Sequence, residues 1–168
     1  MSEHRTFKYF KEETLEKYAL QYGWTLIDDS NRKDLFLDMV RQMDMSYSYK
    51  PVLIKAILLY ADSKGQVRLS DIVAYFRSFY EDRRAAGLSV EKKNSIFAKG
   101  GYTDKEAERN ILANPFKRFE DMQMLRHTKT LGIVQVEPTV WKHLTAEEKD
   151  EIGRICDEKL AVYYSRAF

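Results

Sequence analysis

The sequence predicts a mainly α-helical protein with a small β-hairpin. Three observations indicate this fold class. The 168 residues include only 7 Gly and 3 Pro, too few for the many tight turns of a β-sandwich or barrel. Apolar residues recur at helical spacing in most segments. In the C-terminal half, two short stretches with strand character flank a Thr-Leu-Gly turn, a pattern typical of a hairpin.

The N-terminal part predicts two short helices. The spacing predicts a first helix over Lys11–Tyr22, with an apolar stripe at i, i+3, i+4 and i+7 and Gly23 as its C-terminal cap. A second helix is predicted over Arg32–Met43. Two short helices cannot bury a core of their own. We therefore expect residues 1–45 to form a helical extension, joined through a hinge at 43–49 to a domain spanning 46–168.

The next segments predict a buried helix, a short strand and a longer helix. Pro51 suits the first turn of a helix because its missing N–H costs nothing there. Residues 52–59 are apolar on nearly all sides, so this helix should lie centrally. Gln66–Leu69 alternates polar and apolar residues like a strand. Ser70 is expected to cap a helix over Asp71–Ala85.

Residues 86–103 predict a loop, because glycines interrupt them and lysines charge them. A loop of this length in a compact domain is often functional or mobile. Thr103 with Glu106 forms a capping-box pattern that begins a fifth helix. Asn114 followed by Pro115 ends it, because a residue before proline avoids the helical region.

The C-terminal segments predict a helix, the hairpin and a last helix. The sixth helix is expected over Phe116–Met122. Residues 124–129 and 133–136 then form the two strands of the hairpin. The Thr-Ala-Glu-Glu sequence that begins at Thr145 is a second capping box, and it opens a helix over Ala146–Tyr163.

This order of elements predicts a winged helix-turn-helix-like domain. Such a domain has a buried first helix, a short strand, two further helices and a terminal hairpin, or wing. The helix before the hairpin is then the expected recognition helix, and it carries Lys117 and Arg118. The hairpin adds Arg126, His127 and Lys129.

The distribution of charge along the chain favours an anion-binding surface more than the small net charge does. The 28 basic and 26 acidic residues give a net charge of +2, but the charges sum to about −1 over residues 1–50, +4 over 51–100 and −1 over 101–168. A basic loop is either a solvated face or a binding surface for phosphates. Phosphate contacts are predicted for seven cations: Lys92, Lys93, Lys99, Lys117, Arg118, Arg126 and Lys129.

The motifs of common enzymes are missing from the sequence. It contains no phosphate-binding P-loop, no nucleophile elbow and no H-E-x-x-H zinc motif. One Cys and three scattered His do not supply a zinc site, so no metal or cofactor is predicted. Cys156 on an apolar helix face is expected to be a buried structural residue. The acidic cluster at 147–151 is expected to be a solvated helix face. Of the three functional hypotheses for this sequence, a small enzyme such as a nuclease is the one that no motif supports.

Five segments resemble a module found in the C-terminal regions of large bacterial helicase-like and nuclease-like proteins, often from restriction or phage defence. They are Ser48–Ala56 (SYKPVLIKA), Gly65–Val73 (GQVRLSDIV), Phe79–Leu88 (FYEDRRAAGL), Glu91–Ser95 (EKKNS) and Asn114–Phe119 (NPFKRF). The sequence itself carries no helicase motor and no nuclease domain. The resemblance implies an accessory module that grips nucleic acid or docks an effector, and a free-standing copy would regulate or inhibit such machinery.

Two functional predictions follow. The first is a non-enzymatic module that binds nucleic acid, DNA rather than RNA, as an accessory or regulatory part of a bacterial defence or nucleic-acid-processing system. The second is a protein–protein module, a subunit or inhibitor of a defence complex such as a helicase or nuclease. Exposure of several tyrosines together would favour the second: Tyr47, Tyr49, Tyr102, Tyr163 and Tyr164.

The same sequence predicts a cytoplasmic location. It has no apolar run long enough to span a membrane and no apolar signal-peptide core near the N-terminus. A single cysteine suits a reducing compartment. No membrane partner is expected, and homo-oligomerisation stays open.

Overall fold

A computed structural model of the protein describes residues 31–166, and these residues are mainly helical with a small antiparallel sheet. The predicted first helix, Lys11–Tyr22, and its Gly23 cap lie outside the described residues. No helix within 31–166 is long and apolar enough to cross a membrane. The elements are α1 Arg32–Arg41, α2 Tyr49–Tyr60, β1 Gln66–Arg68, α3 Leu69–Ala85, α4 Ile96–Lys99, α5 Asp104–Ala113, α6 Pro115–Asp121, β2 Leu125–Thr128, β3 Ile133–Val136, α7 Pro138–His143 and α8 Ala146–Ser165.

The sheet has three antiparallel strands in the order β1-β3-β2. The predicted hairpin is confirmed as β2–β3, and the short strand predicted after α2 is β1, which pairs with β3. Directly paired residues lie on the same face of a sheet. Val67 pairs with Val134, and both are buried on the inner face, against the core. The neighbouring residues of each strand therefore form the outer face.

The core is built around α2, as the apolar run predicts. Val52, Leu53 and Ala56 are 0% exposed, and α2 packs against α3, α8 and α6. The exposed residues of this helix lie at its C-terminal end, where Leu59 is 63% exposed, while Lys50 and Lys55 are half-buried. Burying side chains on all sides of one helix is what lets the surrounding helices share a single core.

The described part of the predicted extension belongs to the same core. α1 packs against α7 and α8, and its Phe36, Leu37 and Val40 are buried with the residues of the other helices. A short amphipathic helix is stabilised mainly by such packing. The boundary at residue 45 stays a prediction, but residues 31–45 have no core separate from the rest.

The helix ends that depend on local side chains form as predicted. The predicted start of α3, which does not depend on a local side chain, is wrong. Both capping boxes form, at Thr103 and at Thr145, and the helix before Pro115 stops at Ala113. Ser70, however, does not cap α3, which already begins at Leu69. The backbone N–H of Leu69 instead donates to the carbonyl of Gly132 at 2.8 Å. The hairpin turn therefore fixes where α3 begins.

The segment predicted as an open loop, 86–103, is partly structured. It contains α4, which Ser95 caps by accepting a hydrogen bond from the backbone N–H of Phe97. Phe97 is 0% exposed and stacks on Tyr80, so the segment contributes to the core. Helix α7 was not predicted. Its signal was Glu137 followed by a proline at the first helical position, but six residues are too few to show a periodicity.

Candidate functional site

The seven cations predicted to contact phosphate do not share one surface. Lys99 follows Ala98, whose carbonyl accepts from Arg84 near the C-terminal end of α3. Arg68 adjoins the other end of this 17-residue helix, roughly 25 Å away at 1.5 Å per residue. By element, the seven fall into three groups: Arg126 and Lys129 on the hairpin, Lys117 and Arg118 on α6, and Lys92, Lys93 and Lys99 in the 86–103 segment. The last two groups approach each other, because Lys92 lies against Tyr47, which lines a groove together with Lys117 and Arg118.

The outer face of the sheet is basic. In register, Gln66 pairs with Gln135, which pairs with Arg126, so these three lie side by side. Two residues further along, Arg68, Ile133 and Thr128 form the next row of the same face. We call the following surface the basic sheet face: the outward residues Gln66, Arg68, Arg126, Thr128, Ile133 and Gln135, together with Lys64 and Lys129 of the turns that adjoin these strands.

No carboxylate belongs to the segments that form the basic sheet face. Residues 63–70 and 122–136 contain no Asp and no Glu. All four cations are exposed, and none of them forms an ion pair with a residue in 31–166: Lys64, Arg68, Arg126 and Lys129. Carboxylates do lie close by without pairing with these cations: Asp62 interacts electrostatically with Lys64, and Glu120 and Glu137 line the same cleft as Arg126.

Two clefts adjoin the basic sheet face. One, of about 800 Å³, lies between the hairpin turn, the start of α3 and the start of α5, and Arg68 and Leu131 line it. Leu131, at the tip of the hairpin, is 69% exposed. The other cleft, of about 530 Å³, is lined by Arg126, Gln135 and Arg32 and also by two carboxylates, Glu120 and Glu137. The face thus continues into a concave surface at both ends.

Helix α6, the expected recognition helix, is electrically balanced. The ammonium of Lys117 lies 2.7 Å from the Asp121 carboxylate and 3.5 Å from that of Glu120. The hydrogen bond to Asp121 raises the pKa of Lys117. With Arg118, the helix carries two cations and two anions. Its charge therefore supports phosphate contact less than that of the basic sheet face.

A second concave surface lies between the 43–48 hinge, the start of α2 and α6. Its volume is about 510 Å³. The rings of Tyr47 and Tyr49 stack with centroids 5.0 Å apart, and the Lys92 ammonium lies 5.0 Å from the centre of the Tyr47 ring. We call this surface the tyrosine groove. Its lining residues are Asp44, Ser46, Tyr47, Tyr49, Lys50, Ala113, Asn114, Pro115, Lys117, Arg118 and Asp121.

A buried polar network lies beneath the tyrosine groove. Glu91 is 6% exposed and forms no ion pair with any residue in 31–166. One of its oxygens accepts from the backbone N–H of Ser48 at 2.8 Å and from the Ser48 hydroxyl at 2.5 Å. The other accepts from the hydroxyl of Tyr163 and from the N–H of Lys92. The carboxylate thus connects the hinge, the 86–95 segment and the end of α8.

This network explains why several residues of the resemblance segments are polar yet buried. The hydroxyl of Tyr80 lies 2.6 Å from that of Ser48, and the hydroxyl of Tyr49 lies 2.5 Å from that of Ser95. Burial raises the pKa of Tyr49 to about 12, so this hydroxyl keeps its proton at neutral pH. Ser48, Tyr80 and Glu91 come from three different segments of the resemblance, and here they hold the fold together.

The tyrosines that would have marked a protein-binding surface are not exposed together. Tyr49, Tyr102 and Tyr163 are buried, while Tyr47 and Tyr164 are half-buried. The hydroxyl of Tyr164 donates to the carbonyl of Val90 at 2.7 Å, which directs this side chain to the 86–95 segment. The joint exposure that would have favoured a protein partner is therefore not found for these five tyrosines.

The remaining reactive side chains have structural surroundings. Cys156 is 0% exposed, and burial raises the pKa of its thiol to about 12. His127 of the hairpin is half-buried, with its ring beside that of Phe116. Within residues 31–166, no group of three or more His, Cys, Asp or Glu side chains is arranged to hold a metal ion.

The chain matches no protein-family model, no curated protein and no solved structure. The resemblance to helicase- and nuclease-associated modules thus stays a prediction based on the quoted segments. The sequence reading missed two cations of the basic sheet face, Lys64 and Arg68. The absence of any acidic residue between 63 and 70 was the signal that could have identified them.

Proposed function

We propose that this protein is a winged-helix-like module that binds duplex DNA through the basic sheet face. The single observation that carries the proposal is the charge of this face, where four exposed cations form no ion pair with any residue in 31–166. Phosphate contacts dominate the affinity of non-specific DNA binding. The proposal keeps Arg126 and Lys129 from the sequence prediction and adds Lys64 and Arg68.

The order of elements supports this architecture. The elements follow the order of a winged helix: α2, β1, α3, α5, α6 and then the β2–β3 hairpin. The strand order β1-β3-β2 places the hairpin beside the first strand. The hairpin would be the wing. Duplex DNA is proposed rather than RNA because the grooves of B-DNA admit a β-ribbon, whereas the major groove of an RNA duplex is too narrow for side chains to read.

The spacing of the two arginines fits a duplex. Arg68 and Arg126 lie on the outer strands of the sheet, separated by two strand spacings and two residues of register. This places their Cα atoms about 12 Å apart, comparable with the roughly 12 Å width of the major groove. One arginine can therefore contact each backbone that borders a groove. Such contacts position the protein without reading sequence.

A protein partner is the alternative, and the described surface gives it less support. The large apolar side chains that are exposed come from four separate places in the chain: the end of α2, the segment after α3, the hairpin turn and α8. They are Leu59, Tyr60, Leu88, Leu131 and Val162. A role in bacterial defence or nucleic-acid processing is proposed from the resemblance segments alone.

The test compares two triple variants that remove the same charge. The variant R68Q/R126Q/K129Q should bind a labelled 20-base-pair duplex about tenfold or more weakly than the parent protein at about 50 mM salt. The variant K92Q/K93Q/K99Q, altered at the far end of α3, should bind nearly as well as the parent. Fluorescence anisotropy measures both.

Equal loss in the two variants would contradict the assignment to the basic sheet face, because only net charge would matter. No loss in either variant, or no binding by the parent protein, would contradict the function. Circular dichroism and unfolding curves that match those of the parent show that each variant is folded.

A further inference from the structure

Three cations line the tyrosine groove: Lys117 pairs with Asp121, whereas Lys50 and Arg118 form no ion pair with a residue in 31–166. Lys50 is half-buried, and its ammonium donates to the backbone carbonyl of Asp44 at 3.0 Å. Arg118 is exposed, and it forms no hydrogen bond or ion pair with a residue in 31–166. Both side chains also line the adjoining cleft beside Phe119. Burial, and then the positive charge of Arg118, lower the pKa of Lys50, in keeping with this proximity.

The shape of the groove indicates more than an anion site. Its volume of about 510 Å³ is many times the roughly 30 Å³ that a water molecule occupies in the liquid. Tyr47, Ala113 and Pro115 line the same groove and supply its apolar wall. Sites for small ligands combine such apolar walls with a few charged groups that fix orientation. A ligand with one flat apolar part and one anionic part fits this arrangement.

We propose that the tyrosine groove binds a nucleotide by its phosphate group, either a free nucleotide or the phosphorylated end of a strand. Arg118 contacts the phosphate with paired N–H donors, and Lys50 contacts it as a point charge. The base and sugar lie against the apolar wall. Asp44 and Asp121 also line the groove, and they limit the anionic part to a single phosphate group rather than a polyanion. The site is separate from the basic sheet face and does not depend on it.

The test titrates the full chain with adenosine monophosphate, adenosine and a short single strand with and without a 5′-phosphate, followed by NMR chemical shifts and calorimetry. Adenosine monophosphate should bind at least tenfold more tightly than adenosine. R118Q and K50M should each remove most of this difference. R154Q, which neutralises an exposed arginine on α8, is the matched control and should bind like the parent.

The two sources of the phosphate give different results. A phosphorylated strand that binds at least tenfold more tightly than adenosine monophosphate identifies a strand end, and equal binding identifies a free nucleotide. Binding that does not depend on the phosphate, or that R118Q leaves unchanged, overturns the proposal. A blunt duplex without phosphates at its ends separates this failure from that of the proposed function, because it should bind R118Q normally and R68Q/R126Q weakly.

Discussion

Replacing Glu91 by alanine removes the centre of the buried network and should strongly destabilise the fold. The carboxylate accepts hydrogen bonds from Ser48, Lys92 and Tyr163, and it is 6% exposed. Its partners Ser48 and Tyr163 are 43 and 72 residues away in sequence. The bonds therefore fasten the hinge and the end of α8 to the 86–95 segment.

The magnitude follows from the groups left behind. The Ser48 hydroxyl keeps neighbours at Tyr80 and Tyr164, 2.6 and 3.2 Å away, and the N–H of Lys92 belongs to an exposed residue that water can reach. The buried backbone N–H of Ser48 and the buried hydroxyl of Tyr163 both lose their carboxylate acceptor. A hydrogen bond to a charged group contributes about 1.5–3 kcal/mol, and an orphaned buried donor costs about 1–3 kcal/mol. We expect E91A to lower the free energy of unfolding by about 3–5 kcal/mol and E91Q, which keeps one oxygen, by roughly half as much.

Equilibrium unfolding in urea measures both changes. E158A removes an exposed glutamate of α8 that forms no ion pair within residues 31–166, and this control should change stability by less than about 0.5 kcal/mol. Trypsin should also cleave E91A faster at Lys92 and Lys93, because the segment opens more often. A loss below about 1 kcal/mol for E91A would refute the reasoning that the network anchors this segment.

Two further predictions concern the fold around α7 and α8. In G65A, the added Cβ would lie 2.7 Å from Cγ of Trp141, at a backbone φ of +78°. Thermal unfolding should therefore show that the free energy of unfolding falls by about 2 kcal/mol or more. G87A is the control: its Cβ would lie in open space at a φ of +71°, and it should lose only about 1 kcal/mol. The cap of α8 and Lys33 lower the pKa of Glu148, so this carboxylate stabilises the fold above its unfolded pKa and the contribution is lost as pH falls. E148Q should therefore be less stable than the parent at pH 7, by no more than about 1 kcal/mol, and the difference should shrink below about pH 4; a difference that persists at pH 3 would contradict this assignment.

The parts of the fold that local chemistry determines could be predicted from the sequence. The capping boxes at Thr103 and Thr145 form because side chain and backbone groups three residues apart satisfy each other. Pro115 ends the preceding helix through its own geometry. The start of α3 could not be predicted, because the hydrogen bond between Leu69 and Gly132 joins residues that only the folded sheet brings together.

The candidate site was less predictable for the same reason. Lys117 and Arg118 are adjacent in sequence, yet Asp121 neutralises the first, while the second faces Lys50 across the tyrosine groove. Arg68 joins Arg126 only through the strand register. Glu91 lies in a basic stretch that reads as solvated surface, and its burial depends on residues far along the chain.

The most direct test of the central claim is the salt dependence of DNA binding by the parent protein. Four phosphate contacts, by Lys64, Arg68, Arg126 and Lys129, predict a slope of about −3.6 for the logarithm of the association constant against that of the salt concentration. Raising the salt from about 50 to 200 mM should then weaken binding roughly 100-fold. In R68Q/R126Q the magnitude of the slope should fall by about 1.8. Binding that is independent of salt, or a slope that these two substitutions leave unchanged, would contradict the account.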